Sequence, residues 1–255
     1  MVCNFVRLKN VIESTTWTFM KTIIHKADSR GHANHGWLNS YHSFSFAGYH
    51  DPSRVNFGML RVLNDDVVKG GMGFGQHPHD NMEIISIPLK GALEHGDNTG
   101  GHGIIKSGEV QIMSAGSGIA HSEENASKTE DVNFLQIWVF PKERNIQPRY
   151  DQKEFKPVER ENRFQTVVSP EKGKNALWIN QDAWFQLGNL SKATSTEYAL
   201  NRKENGVYAF IIEGAVSINN QKLNKRDGFG VWDAEKLSIS ADSEAEVLLI
   251  EVPMD

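Results

Sequence analysis

One cysteine, Cys3, in 255 residues leaves no disulfide for the chain to form within itself. That excludes a disulfide-stapled secreted scaffold and makes a reducing compartment, the cytoplasm, the expected address. No apolar run nears the ~20 residues that span a bilayer, and mean hydropathy is −0.46, so no membrane association is expected. Residues 1–19, MVCNFVRLKNVIESTTWTF, lack the long apolar core and small-residue cleavage site of a signal peptide. They read as an N-terminal extension or the product of an upstream start, because Met20 opens the better-patterned MKTIIHKADSRG. Basic surplus is missing too. Lys and Arg number 27 against 32 Asp and Glu, the net charge is −5, and the basic residues are dispersed, so direct nucleic-acid binding is not expected.

Amphipathic helical stretches are equally scarce. What recurs instead, about every ten residues, is a short apolar, β-branched or aromatic run set off by Gly, Asn, Asp or Pro: FGMLRVL, EIISIPL, EVQIMSA, NFLQIWVF, VYAFII, AVSIN and EVLLIEV. Such runs are too short for helices and too regularly punctuated for βαβ units, and they predict an all-β protein. The pattern lapses over PKERNIQPRYDQKEFKPVERENR, where charge and proline rise, which predicts a linker. On either side lie weak copies of one plan, EIISIPLKGALEH and VYAFIIEGAVSIN: a strand, a Gly at the turn, a second strand. Two tandem β-barrels are the economical reading, over 20–145 and 164–255, joined by a linker at 146–163.

Within the first half, GFGQHPHDNMEII carries His77 and His79 two apart, so on an extended strand both face the same way. SAGSGIAHSEEN repeats the spacing with His121 and Glu123 behind a Gly-rich turn. Two such strands lining one interior would bring three imidazoles and a carboxylate together. That donor set suits Fe, Mn, Co, Ni, Cu or Zn and leaves coordination positions open for chemistry, unlike a closed, cysteine-rich structural zinc site. A single HxH is weak on its own, but to dismiss both pairs as solvated loop residues requires two coincidences. Glu83 competes with Glu123: if the strand runs straight, 77, 79, 81 and 83 share one face, and the Gly71-x5-His-x-His-x3-Glu83 spacing matches the germin-type first cupin motif, in which that Glu is a ligand. The second cupin motif fits only in part, with Gly108, Ser114 in place of a proline, one extra residue before His121, and then Asn125.

HGWLNSYHSFSFAGYHDP (35–52), GMGFGQHPHDNMEII (71–85) and GEVQIMSAGSGIAHSE (108–123), in that order, resemble the pirin family of bicupins, and the resemblance runs over most of the chain from Met20 onward. It implies two tandem cupin, jelly-roll-like barrels, with His77, His79, His121 and Glu123 as ligands of one divalent transition metal, iron(II) first among them. Glu83 then moves away from the metal, to a hydrogen bond with a ligand or to solvent. The other histidines are expected outside the ligand set: His35, His42 and His50 hydrogen-bonded near the barrel mouth, and His95 and His102 in a loop. No histidine follows His121; by eye, Leu200, Arg202, Ser240 and Asp242 fall at the ligand positions of the second half, which is expected to bind no metal.

The resemblance implies a quercetin 2,3-dioxygenase type of activity, in which a flavonol and O2 give a depside and carbon monoxide and Glu123 takes the 3-hydroxyl proton as catalytic base. The alternative it implies is a non-enzymatic, redox-sensing co-regulator that binds a protein partner, although the chain has no basic nuclear-localisation cluster. A third reading is a metal-binding cupin with some other small-molecule substrate, since fold does not decide substrate. A deep apolar pocket at the metal would favour the enzyme, and a shallow charged opening the regulator. A monomer is expected, because two barrels in one chain can bury the surface that single cupins bury by dimerising.

Overall fold

The computed structural model describes residues 20–255; the expected extension at 1–19 lies outside them. All seven apolar runs fall on strands, from Leu60–Val68 to Ala245–Pro253, and the described residues hold two short 3-10 turns but no α-helix. No helix among them is long and apolar enough to cross a membrane.

Each half is a jelly roll of one seven-stranded and one four-stranded sheet. The sheets face each other without closing into a continuously hydrogen-bonded barrel, so the expected barrels are sandwiches with open ends. In the first half the small sheet runs Gly73–His79, Ile119–Asn125, Ala92–Asp97, His102–Lys106; in the second, Ser195–Ala199, Lys236–Ala241, Ala215–Ile218, Gln221–Asn224. The order is the same, and the turn glycines of the two copies match: Gly91 has φ of 79° and Gly214 of 78°, a left-handed conformation that costs glycine little.

The two seven-stranded sheets pack face to face. Ile85, Ile87, Leu135 and Ile137 of one interleave with Phe185, Leu187, Phe210 and Leu248 of the other in one apolar core. Strands buried on both faces explain the unbroken apolar runs. On Glu83–Lys90 the odd positions Ile85 and Ile87 join this core, whereas Ile84 and Ser86 face the interior of the first jelly roll.

Two strands depart from the expected boundaries. Lys21–His25, placed by sequence in the first half, adds instead to the edge of the second half's large sheet, pairing with Gly228–Trp232. The expected linker 146–163 contains Arg149–Glu154, which pairs with Glu109–Ser114 and completes the first half's large sheet at the equivalent edge. Its sequence RYDQKE is polar because an edge strand half in solvent needs charge and not apolar alternation, and so it reads as linker.

Candidate metal centre

The strand Gly73–His79 lies against Ile119–Asn125 with His77 directly opposite His121. Close approach depends on Gly73, where a Cβ would stand 2.5 Å from Glu124 Cα. Between that contact and the histidines the register slips by one residue, so that Ser122 on Ile119–Asn125 opposes two residues, Gly75 and Gln76, on its partner. The bulge turns the Gly75 carbonyl to within 2.8 Å of His77 Nδ1. A carbonyl only accepts, so Nδ1 carries the proton and Nε2 presents a lone pair.

His77, His79 and His121 each offer a nitrogen within 4.8 Å of the others, the only such group of three among the described residues. His121 is buried and its Nε2 has no hydrogen-bond partner. Its Nδ1 stands 3.4 Å from Nδ1 of His95, whose Nε2 donates to Asp97 at 3.0 Å. The chain of contacts fixes tautomers: the Asp97 carboxylate accepts a hydrogen bond from His95 Nε2–H, leaving His95 Nδ1 to accept from His121 Nδ1 and His121 Nε2 free. Burial opposes ionisation of Asp97, but donation from Thr99, His95 and Gly101 outweighs it and holds the carboxyl below its usual range. Burial, and then the neighbouring imidazoles, push His121 down to about 3, and burial and His77 push His79 down to about 4. Both are therefore neutral donors at ordinary pH. An orphaned nitrogen, fixed tautomers and convergent neutral imidazoles fit a transition metal.

Glu123 is not in the group of three, but it lines the same cavity. Gln136 Nε2 donates to it at 2.5 Å and Ser86 Oγ lies at 3.0 Å, and burial raises its pKa. Glu83 stands elsewhere. The chain does not run straight from His79: Asn81 takes φ of 46°, and Glu83 opens a strand of the other sheet on the face toward the second half. There it accepts from Ser114 Oγ at 2.8 Å and from the Asn180 amide at 3.1 Å.

The remaining histidines sort unevenly. His42 is buried beside Ser40 and, like the more exposed His35, lines the cavity, whereas His50 is exposed and does not. His102 is exposed on a strand, 3.1 Å from Glu94. His95, expected in a loop, is instead buried in the strand Ala92–Asp97 and stacked on Tyr150 with centroids 4.5 Å apart. Its signal in the sequence is the His-x-Asp spacing of His95 and Asp97, which puts both on one face.

In the second half the corresponding strands, Ser195–Ala199 and Lys236–Ala241, leave Leu200 and Arg202 beyond the strand end, so the alignment by eye misplaces them. Glu251 is fully buried there and accepts from Tyr198 Oη at 2.6 Å, Asn205 Nδ2 at 3.0 Å and the backbone amides of Asn201 and Arg202. With that network and the packed cluster of Val216, Ile218, Leu237 and Ile239, its interior is filled.

A two-jelly-roll chain with a three-histidine centre in the first roll defines a bicupin with one candidate metal site. The chain belongs to the pirin family: the pirin family model matches residues 23–139, and that of the quercetinase C-terminal cupin domain matches 166–252. It is 45% identical to quercetin 2,3-dioxygenase of Escherichia coli K12, over 90% of this chain and 98% of that protein. It is 41% identical to a pirin-like protein of Caulobacter vibrioides, over 88% and 96%. Among solved structures it is similar to the bacterial pirin YhhW of Escherichia coli in complex with nickel(II), with 43% identity, a TM-score of 0.87, and coverage of 92% of this chain and 100% of that one.

Proposed function

We propose that this chain is a metal-dependent dioxygenase of the quercetin 2,3-dioxygenase type, acting on a flavonol-like aromatic and O2. One observation carries the reading: a cavity of about 760 Å³, walled by Trp37, Phe46, Phe74 and Trp138, opens onto His77, His79 and Glu123. Its volume and aromatic walls suit a flat, multi-ring substrate better than a protein-binding face. The 45% identity to a quercetin 2,3-dioxygenase supports the same class.

His77, His79 and His121 would hold the metal, with Glu123 as a fourth ligand or as the base beside it. When bound, the metal supplies positive charge that lowers the pKa of a substrate hydroxyl and a centre through which O2 chemistry can run. Iron(II) is our first choice; nickel accompanies a relative's structure, and the donor set accepts Mn, Co, Cu or Zn as well. Glu123 takes the flavonol 3-hydroxyl proton. Buried, it is a stronger base than a solvated carboxylate, and Ser86 and Gln136 aim it. The aromatic walls exclude water from the resulting flavonolate. The chain would work as a cytoplasmic monomer, a reading supported by the large apolar face that its two halves bury against each other.

The test is aerobic incubation of metal-analysed protein with quercetin, following flavonol absorbance and carbon monoxide beside His77→Ala. Turnover that tracks metal content and disappears in the variant is expected. A full metal site with no turnover under Fe, Mn, Co, Ni or Cu would move the chain to another substrate or to the regulatory role.

A further inference from the structure

The cavity has a second polar end, joined across the sheet to the Glu123–Gln136 contact through Asn64, that the metal chemistry does not use. Ser40 and His42 on the strand Leu38–His42, and Asn64 and Asp66 on the neighbouring Leu60–Val68, line the same space as His77 and His79, and all four are buried. Two aromatic rings lie between the ends. Centroids step 4.9 Å from His79 to Trp138, 5.4 Å from Trp138 to Phe46 and 5.3 Å from Phe46 to His42. One wall therefore runs from a metal-ligating end, over a flat apolar floor, to a cluster of polar groups.

The hydrogen bonds of that cluster give it a polarity. Ser40 Oγ donates to Asp66 Oδ1 and stands 2.7 Å from His42 Nε2. Burial raises the Asp66 carboxyl to about 7; above that pH, with Asp66 ionised and Ser40's one proton spent on it, Ser40 can only accept from His42, so Nε2 carries the imidazole proton and Nδ1 is a bare lone pair. Burial, the largest influence, holds His42 down to about 4, so the ring is neutral. His42 Nδ1 has no partner, and neither does Asn64 Oδ1. Asp66 Oδ2 receives no hydrogen bond from the described residues, since Ser40 reaches only Oδ1. Two buried acceptors are thus left without donors, each at a cost that a hydrogen-bonding ligand would remove, and Asp66 stands beside them on the cavity wall. The group that answers such acceptors is a donor hydroxyl, and an aromatic floor between two polar ends fits a flat molecule carrying hydroxyls at both.

We infer that Ser40, His42, Asn64 and Asp66 form a second subsite that accepts hydrogen bonds from phenolic hydroxyls on the substrate ring remote from the metal, selecting hydroxylated flavonols over bare ones. This rests on the aromatic-substrate reading above but not on turnover. The four residues bind and select; none is assigned a bond-making step.

The test compares quercetin with 3-hydroxyflavone, which keeps the same 3-hydroxy-4-keto end and lacks every other hydroxyl. Binding is measured by quenching of tryptophan fluorescence, on the metal-free and the nickel-loaded protein. Wild type is expected to bind quercetin at least about tenfold more tightly, the worth of one or two buried hydrogen bonds to a polar or charged acceptor. Asp66→Asn and His42→Phe should bring that ratio to within about twofold of unity while leaving the affinity for 3-hydroxyflavone and the bound metal unchanged. Should Asp66→Asn fail to fold, Ser40→Ala with His42→Phe carries the comparison. Equal affinities in wild type, or a ratio that survives the substitutions, would overturn the subsite. Discrimination without turnover of either flavonol would leave the subsite standing and remove the dioxygenase; turnover without discrimination would do the reverse.

Discussion

His77 and His121 are direct cross-strand partners with ring centroids 4.5 Å apart, and His79 stands within 4.9 Å of both rings. Of these imidazoles His121 has a buried Nε2 with no donor, and a divalent ion held by all three would satisfy it. Adding nickel(II) or iron(II) at about a hundred times its dissociation constant should stabilise the fold by about 2.7 kcal/mol, which for a chain of this size is a rise in Tm of about 5–10 °C. His77→Ala and His121→Ala should lose both the rise and the stoichiometric metal. Calorimetry with and without a chelator measures this; an equal rise in His77→Ala would remove that residue from the ligand set.

Asp97 acts on the same centre from two residues away in space. In Asp97→Asn, the amide oxygen can keep the three contacts now made by Oδ1 to Thr99 and Gly101, so the loop holds. The amide NH2 then faces His95 Nε2, which must become an acceptor, and His95 turns its Nδ1 proton toward His121 Nδ1. Two donors collide where one hydrogen bond stood, and His121 loses its fixed tautomer. Metal affinity should fall about 10- to 100-fold, read by competition with a chromogenic chelator, and the nitrogen-15 shifts of His121 in the metal-free protein should show the change of tautomer. Unaltered shifts and affinity would break the relay.

Glu83 makes a separate, pH-dependent prediction. Burial raises its carboxyl from 4.5 to about 7, against the opposing donors Asn180 and Ser114 and the charge of Arg149. The folded state therefore holds a proton that the unfolded chain releases above pH 4.5. This group's contribution to stability is greatest below that pH, falls as pH rises toward 7, and above 7 remains a cost of at most about 3 kcal/mol. Glu83→Gln removes the cost and should raise Tm at pH 8 relative to wild type, with little difference at pH 4.5 and unchanged metal content. A variant that lost its metal would return Glu83 to the centre.

Strand existence and the three-histidine group were legible in the sequence because both follow from local spacing: apolar runs between turn residues, and ligands two apart on a strand. Partnership was not. KTIIH at 21–25 forms a strand, but nothing in its sequence says that its neighbour is Gly228–Trp232, some two hundred residues on. His95 looked like a loop residue because its importance lies in a neighbour, His121, on the adjacent strand. Glu83 shared parity with His77 only on the premise of a straight strand, and Asn81 breaks it. Ser40, His42 and Asp66 were invisible as a group for the same reason, since they meet only when Leu38–His42 pairs with Leu60–Val68.

Glu123→Gln separates the two roles open to that residue. The amide has the shape of the carboxylate, and rotation of the Gln136 amide lets Ser86 and Gln136 keep their contacts, so the cavity should persist. What is lost is the negative charge and the ability to take a proton. If Glu123 is chiefly a base, metal affinity should drop less than about tenfold while kcat for quercetin falls about 10²- to 10⁴-fold, the usual worth of a positioned base. If it is chiefly a ligand, affinity and kcat should fall together, and excess metal should restore turnover. Inductively coupled plasma analysis beside steady-state kinetics at saturating metal distinguishes these. Full activity in the variant at ordinary metal concentration would remove Glu123 from both roles, leaving proton transfer from the flavonol to solvent or to another group in the cavity.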